Sequence, residues 1–149
     1  MRDKLTRLLN TKKNILFVGI GNVLKHDDGV GVYICDHIAE SKGIKAFSAE
    51  QSIENYVGKI NRSSPDWLVL VDSVLFGRQT GFADLIPVKE LIDHTTHTHN
   101  ISLKQIGQLF LMPVYVLGIE PGDISFGEGL SPEVKSVADE IVGIVNGIR

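Results

Sequence analysis

The chain has 149 residues, 43% of them hydrophobic and 22% charged, with a formal net charge of −3. That is enough for one domain with its own core, and the composition is that of an ordinary soluble globular protein. The mild negative charge disfavours a general nucleic-acid binder. The single Cys35 excludes an internal disulfide framework or a multi-cysteine metal site and fits a reducing compartment, and no apolar run approaches the ~20 residues of a membrane span.

Residues 1–13, "MRDKLTRLLNTKK", carry five Lys or Arg against one Asp. No apolar stretch of secretory type follows, so they read as a solvated, basic N-terminal extension. A short amphipathic helix that docks a partner is the alternative. Asn14–Ile20, "NILFVGI", is a continuous apolar run typical of a strand buried on both faces. From about Val30 to Ser41 the spacing of Val30, Ile34 and Ile38 predicts a helix. Ile44–Ala49 reads as a second strand, and Ser52 as the cap of a helix containing Ile53, Val57 and Ile60. Trp67–Asp72, "WLVLVD", is a third, strongly buried strand. Gly81–Val88 follows as another, with Pro87 pushing it toward an edge. Ser102 is a cap for a helix through "LKQIGQLF", Pro113–Ile119 is a final apolar strand, and Ser131-Pro132 opens a helix toward Ile148.

With no repeat or linker, residues 1–149 read as one domain. The βαβαβ alternation predicts a three-layer, doubly wound α/β fold with a mostly parallel twisted sheet flanked by helices. In such sheets ligands sit beyond the carboxyl ends of the strands, where strand order reverses. The loops after the first strand (Gly21–Gly29) and the third (Asp72–Phe76) are therefore the expected site.

The first of these loops lies in "GIGNVLKHDDGVGV" (Gly19–Val32). It resembles a dinucleotide fingerprint in Gly19 and Gly21, but Leu24 stands where the third glycine belongs. Asp27 and Asp28 occupy the helix start where a pyrophosphate would dock and would repel it. Carboxylates at a helix start favour capping. One of the pair suffices for that, leaving the other to face Asp72 across the crevice. A third feature is "HTTHTHNISL" (His94–Leu103), with His94, His97 and His99. It reads either as a polar surface loop or as the imidazole partner of the two carboxylates, a donor set suited to zinc or nickel with an open position for substrate.

Taken in order, "GIGNVLKHDDGVG", "VLVDS", "THNISL" and "LGIEPGDISFGEGLSPEV" resemble the hydrogenase maturation endopeptidases, nearest to the branch serving the formate-hydrogenlyase type of hydrogenase. The resemblance covers the chain from about Asn14 onward. It implies an α/β fold and an endopeptidase that removes the C-terminal extension of a nickel–iron hydrogenase large-subunit precursor after nickel insertion. It also implies that Asp28, Asp72 and His99 are the catalytic and metal-contacting residues. His97 competes with His99 because the "TH" pair is repeated. No cofactor is permanently bound on this reading: the nickel arrives with the substrate, and cadmium or zinc is a stand-in in crystals. The implied protein is a cytoplasmic monomer whose partner is the precursor. This chain departs from the family pattern at Ser102, where proline is common, and at "IEN" (Ile53–Asn55), where the family has a "PEN"-like stretch. Neither departure removes a functional group.

The resemblance explains a double aspartate in a glycine-rich turn, since the ligand becomes a cation and not a phosphate. Water would be activated by the metal or by Asp28. Two other readings use the same residues or the same fold: a non-catalytic metal-sensing or chaperone module for the precursor, and a nucleotide-binding α/β protein.

Overall fold

Strand β1 (Ile15–Ile20) is buried along its whole length, as an unbroken apolar run requires when helices cover both faces of a sheet. Its side chains alternate between two cores, with Ile15 and Phe17 in one and Leu16, Val18 and Ile20 in the other. β3 (Trp67–Ser73) divides in the same way, Val69 and Val71 against Leu68 and Leu70. The structure is a computed structural model and describes residues 1–92 and 102–148. Five strands form one sheet in the order β2-β1-β3-β5-β4, with β2 at Ile44–Glu50, β4 at Ala83–Pro87 and β5 at Val114–Ile119. β2, β1, β3 and β5 run parallel. β4 lies antiparallel on the edge and ends at Pro87, which has no N–H to offer a further strand.

One face of the sheet carries α1 (Arg2–Asn10), α2 (Val30–His37) and α5 (Pro132–Ile148). The other carries α3 (Val57–Ser63), α4 (Leu103–Gly107) and the 3-10 turns Ile53–Tyr56 and Val88–Glu90. This is the three-layer, mostly parallel α/β architecture expected from the alternation of elements. In α5 the buried positions Val134, Ala138, Ile141 and Val145 recur at helical spacing and set its inward stripe.

The N-terminal segment departs from expectation. It is not a solvated extension: Leu5, Leu8 and Leu9 of α1 are buried in the core that α5 also lines, while Arg2 and Lys4 pair with Glu140 and Asp84 at the surface. The leucines of "KLTRLL" lie on one helical stripe, and only tertiary contact gave that stripe something to cover.

Other differences have local causes. α2 stops at His37, short of Ser41, because Asn146 of α5 takes over the backbone there. Its Nδ2 donates to the His37 carbonyl at 3.1 Å and its Oδ1 accepts from the Ala39 N–H at 2.9 Å. Ser52 makes no side-chain capping bond, and a 3-10 turn precedes α3. Ser102 does cap α4, in a reciprocal capping box with Gln105. That helix ends at Gly107 and not near Phe110, because Asn61 holds both the Leu109 carbonyl and the Leu111 N–H. Among the described residues no helix is long and apolar enough to cross a membrane.

From β1 the chain passes outward to β2, then crosses back to β3 on the opposite flank of β1. Strand order thus reverses at β1, and the crevice beyond the carboxyl ends of β1 and β3 is the expected ligand position.

Candidate active site

Beyond Ile20 the backbone turns at Gly21, whose φ of +131° suits glycine. A Cβ here would also lie 1.9 Å from the Asp28 carbonyl oxygen, so the loop closes back onto its own start. Asn22 stabilises the turn, its Oδ1 accepting from the Leu24 N–H at 2.9 Å. The chain then enters a 3-10 turn, His26–Gly29, that runs directly into α2.

α2 sits unusually close to the sheet. A Cβ on Gly31 would fall 2.0 Å from the Val71 carbonyl oxygen of β3, and one on Gly19 would fall 2.5 Å from the Gly31 carbonyl oxygen. Glycine at 19 and 31 therefore lets helix and strand backbones touch, which draws the start of α2 over the end of β3. That approach brings Asp28 to the end of β3.

Asp28 is buried, at 3% exposure, and so is Asp72, at 0%. Asp28 Oδ2 accepts from the Asn22 N–H at 2.9 Å, and its Oδ1 accepts from the Ser73 hydroxyl at 3.3 Å. Asp72 Oδ1 accepts from the Ser73 N–H at 2.8 Å. Ser73 therefore addresses both carboxylates, one through its side chain and one through its backbone. β1 pairs with β3 only as far as Gly19 opposite Val71, so Asp72 and Ser73 stand just past the point where the two strands part.

Asp27 has a different task. It is wholly buried, and its two oxygens accept from the Gly122 N–H (2.8 Å), the Asp123 N–H (3.0 Å), the Ser131 N–H (2.7 Å) and the Ser131 hydroxyl (2.6 Å). Burial pushes its carboxyl upward, but the hydrogen bonds from Ser131, Asp123 and Gly122 outweigh this and hold it below the ordinary carboxylate value. Capping of α2 by either aspartate does not occur: its N-cap is Gly29, with no side-chain bond.

The loop that Asp27 grips, residues 122–131, pairs along the first loop. The His26 N–H donates to the Gly127 carbonyl at 2.8 Å, the Gly127 N–H to the Leu24 carbonyl at 2.9 Å, and the Asp27 N–H to the Asp123 carbonyl at 2.8 Å. The His26 ring lies over Gly127 with Nδ1 3.0 Å from the Gly129 carbonyl oxygen, which requires the proton on Nδ1. Leu24 and Phe126 both lie on this seam, 53% and 82% exposed, with Val23 and, beyond Ser73, Leu75 also open to solvent. The loops that carry the two buried carboxylates thus present an apolar rim of exposed side chains.

His94, His97 and His99 lie outside the described residues, so the third expected group has no position here. Among the described residues no three His, Cys, Asp or Glu side chains are grouped closely enough to hold a metal ion. Cys35 is a core residue of α2 whose thiol is pushed up by burial and then by Asp36, so it is neutral and not a nucleophile. Two features of the site escaped the sequence reading. The bridging role of Ser73 was hidden in "VLVDS", and the long stretch around Gly122–Ser131 gave no sign that it would clasp Asp27.

No protein-family model matches this sequence. Two proteins of Methanocaldococcus jannaschii named "Putative hydrogenase maturation protease" are each 26% identical to it. One alignment covers 95% of this chain and 92% of the relative, the other 91% and 96%. The fold is shared with a [NiFe] hydrogenase maturation protease HycI from Thermococcus kodakarensis, at TM-score 0.84, 24% identity and 97% of both chains. It is shared also with the endopeptidase HycI of Escherichia coli (TM-score 0.77, 21% identity, 90% of both chains) and with the hydrogenase maturating endopeptidase HybD of E. coli (0.75, 19%, 89% of both). The Thermococcus match is longer than residues 14–149 alone would allow, so it reaches into the N-terminal segment as well. Over most of its length the sequence is thus similar to proteins named as putative hydrogenase maturation proteases, and its fold is the one seen in solved hydrogenase maturation proteases.

Proposed function

We propose that this protein is the endopeptidase that removes the C-terminal extension of a nickel–iron hydrogenase large-subunit precursor once nickel is in place. It senses that nickel through Asp28, Asp72 and His99. The observation that carries the proposal is the pair of buried carboxylates, Asp28 and Asp72, linked through Ser73 at the strand-order reversal. Two buried carboxylates joined through one serine form an acidic pair whose charge a cation would offset. A substrate that brings a divalent ion supplies it, and an unloaded precursor does not. The apolar rim of Val23, Leu24, Leu75 and Phe126 suits a polypeptide substrate better than a small polar one. The metal is cargo of the substrate, and the protein keeps none of its own.

Hydrolysis needs a water oriented against the scissile carbonyl and a group to take its proton. Asp28 is the base in this scheme, and the proton passes on to the leaving amine as the C–N bond breaks. The substrate's nickel adds polarisation of the carbonyl. The work is done by a monomer in the cytoplasm. Nucleotide binding is disfavoured, since the buried Asp27 and Asp28 fill the helix start a phosphate would occupy.

The test is a processing assay on nickel-loaded and nickel-free precursor from the same organism, following release of the C-terminal peptide by mass spectrometry. Cleavage of the loaded form alone is expected, and Asp28→Asn should abolish it. Tight binding of the loaded form without cleavage would turn the assignment to a non-catalytic chaperone of the same precursor. Full activity of Asp28→Asn would remove Asp28 from the reaction.

A further inference from the structure

We infer that Asp27 is a positioning residue that fixes Asp28 in the site by locking the His26–Gly29 turn onto the 122–131 loop. The inference rests on Asp28 being the acid that the proposed reaction uses. Four donors converge on Asp27, and three of them are backbone N–H groups of a segment about a hundred residues away. Both oxygens are engaged, so neither rotation about χ2 nor withdrawal of the side chain is free. The backbone on either side is tied too: His26 N–H to Gly127, Asp27 N–H to Asp123, Asp28 N–H to Lys25 at 3.0 Å. The turn has only four residues. With its second residue pinned at both backbone and side chain, the third has little freedom. Asp28 is then held where Asn22 and Ser73 reach its two oxygens. Misplacement of a catalytic group by an ångström is a large kinetic fault even when the fold survives.

Asp27→Asn tests this, because an amide –NH2 would face N–H or O–H donors where an acceptor oxygen is needed. Expected, per folded molecule, is a fall in kcat on nickel-loaded precursor of about tenfold or more with KM unchanged. The Asn22 amide signal in 15N–1H spectra should leave its wild-type position as its bond to Asp28 is disturbed. Ser131→Ala removes one donor of four and keeps the loop backbone, so it should move both readouts the same way by less. An Asn22 amide that stays at its wild-type position in Asp27→Asn overturns the inference whatever the activity. So does a rate loss no larger than the unfolded fraction measured by circular dichroism. If the wild-type protein leaves loaded precursor uncut, the proposed function fails, and the Asn22 amide still decides whether Asp27 places Asp28.

Discussion

The Ser73 hydroxyl donates to Asp28 Oδ1 at 3.3 Å while the Ser73 N–H donates to Asp72 Oδ1 at 2.8 Å. One residue at the end of β3 thus couples an acid on its own strand to an acid on the turn before α2. Ser73→Ala keeps the backbone bond and deletes the hydroxyl. The expected stability loss is small, about 0.5–1.5 kcal/mol by urea denaturation. Precursor processing should fall more steeply, by roughly tenfold, because Asp28 loses a partner at the reacting end. Equal processing by the variant and the wild type would mean that the hydroxyl does not help to orient Asp28.

Phe126 is 82% exposed on the seam between the first loop and the 122–131 loop. Phe126→Ala should leave the melting temperature unchanged, since little area is lost from the core. If the rim contacts the precursor, KM should rise by about tenfold, the effect of a modest hot spot of ~1–2 kcal/mol, with kcat held. A variant with wild-type KM would place the docking surface elsewhere.

Leu9 is wholly buried beneath α1 although it belongs to a basic, polar-looking terminus. Leu9→Ala should destabilise the protein by about 2–5 kcal/mol, the range for a fully buried leucine. Chemical denaturation measures this directly. A change under ~0.5 kcal/mol would mean that the segment behaves as a solvated extension in solution.

Cys35 is held neutral by burial. A thiol reagent such as DTNB should therefore leave the native protein unlabelled at pH 8 and titrate one thiol after unfolding. Rapid labelling of the native state, or loss of processing on labelling before any unfolding, would contradict its place in the core.

Much of the architecture was legible in local patterns. Unbroken apolar runs such as "ILFVGI" and "WLVLV" mark strands covered on both faces, and their alternation with helical spacing dictates a parallel, doubly wound sheet whose site lies past β1 and β3. The Ser102 cap, the start of α5 at Pro132 and the edge position of β4 followed from single residues with fixed backbone preferences. The acidic loop and strand-end aspartate were visible as residue types at predictable places. What local pattern could not contain was any relation between distant segments. Which of two adjacent aspartates turns to the crevice depends on four donors supplied from residues 122–131. The length of α2 depends on Asn146, and the fate of the N-terminal leucines on the surface that α5 presents. The contact of Gly31 with Val71 places Asp28 over the end of β3. Periodicity reports what each segment must bury, but hydrogen bonds and close backbone contacts across the fold select the partner, and those partners exist only once the chain has closed on itself.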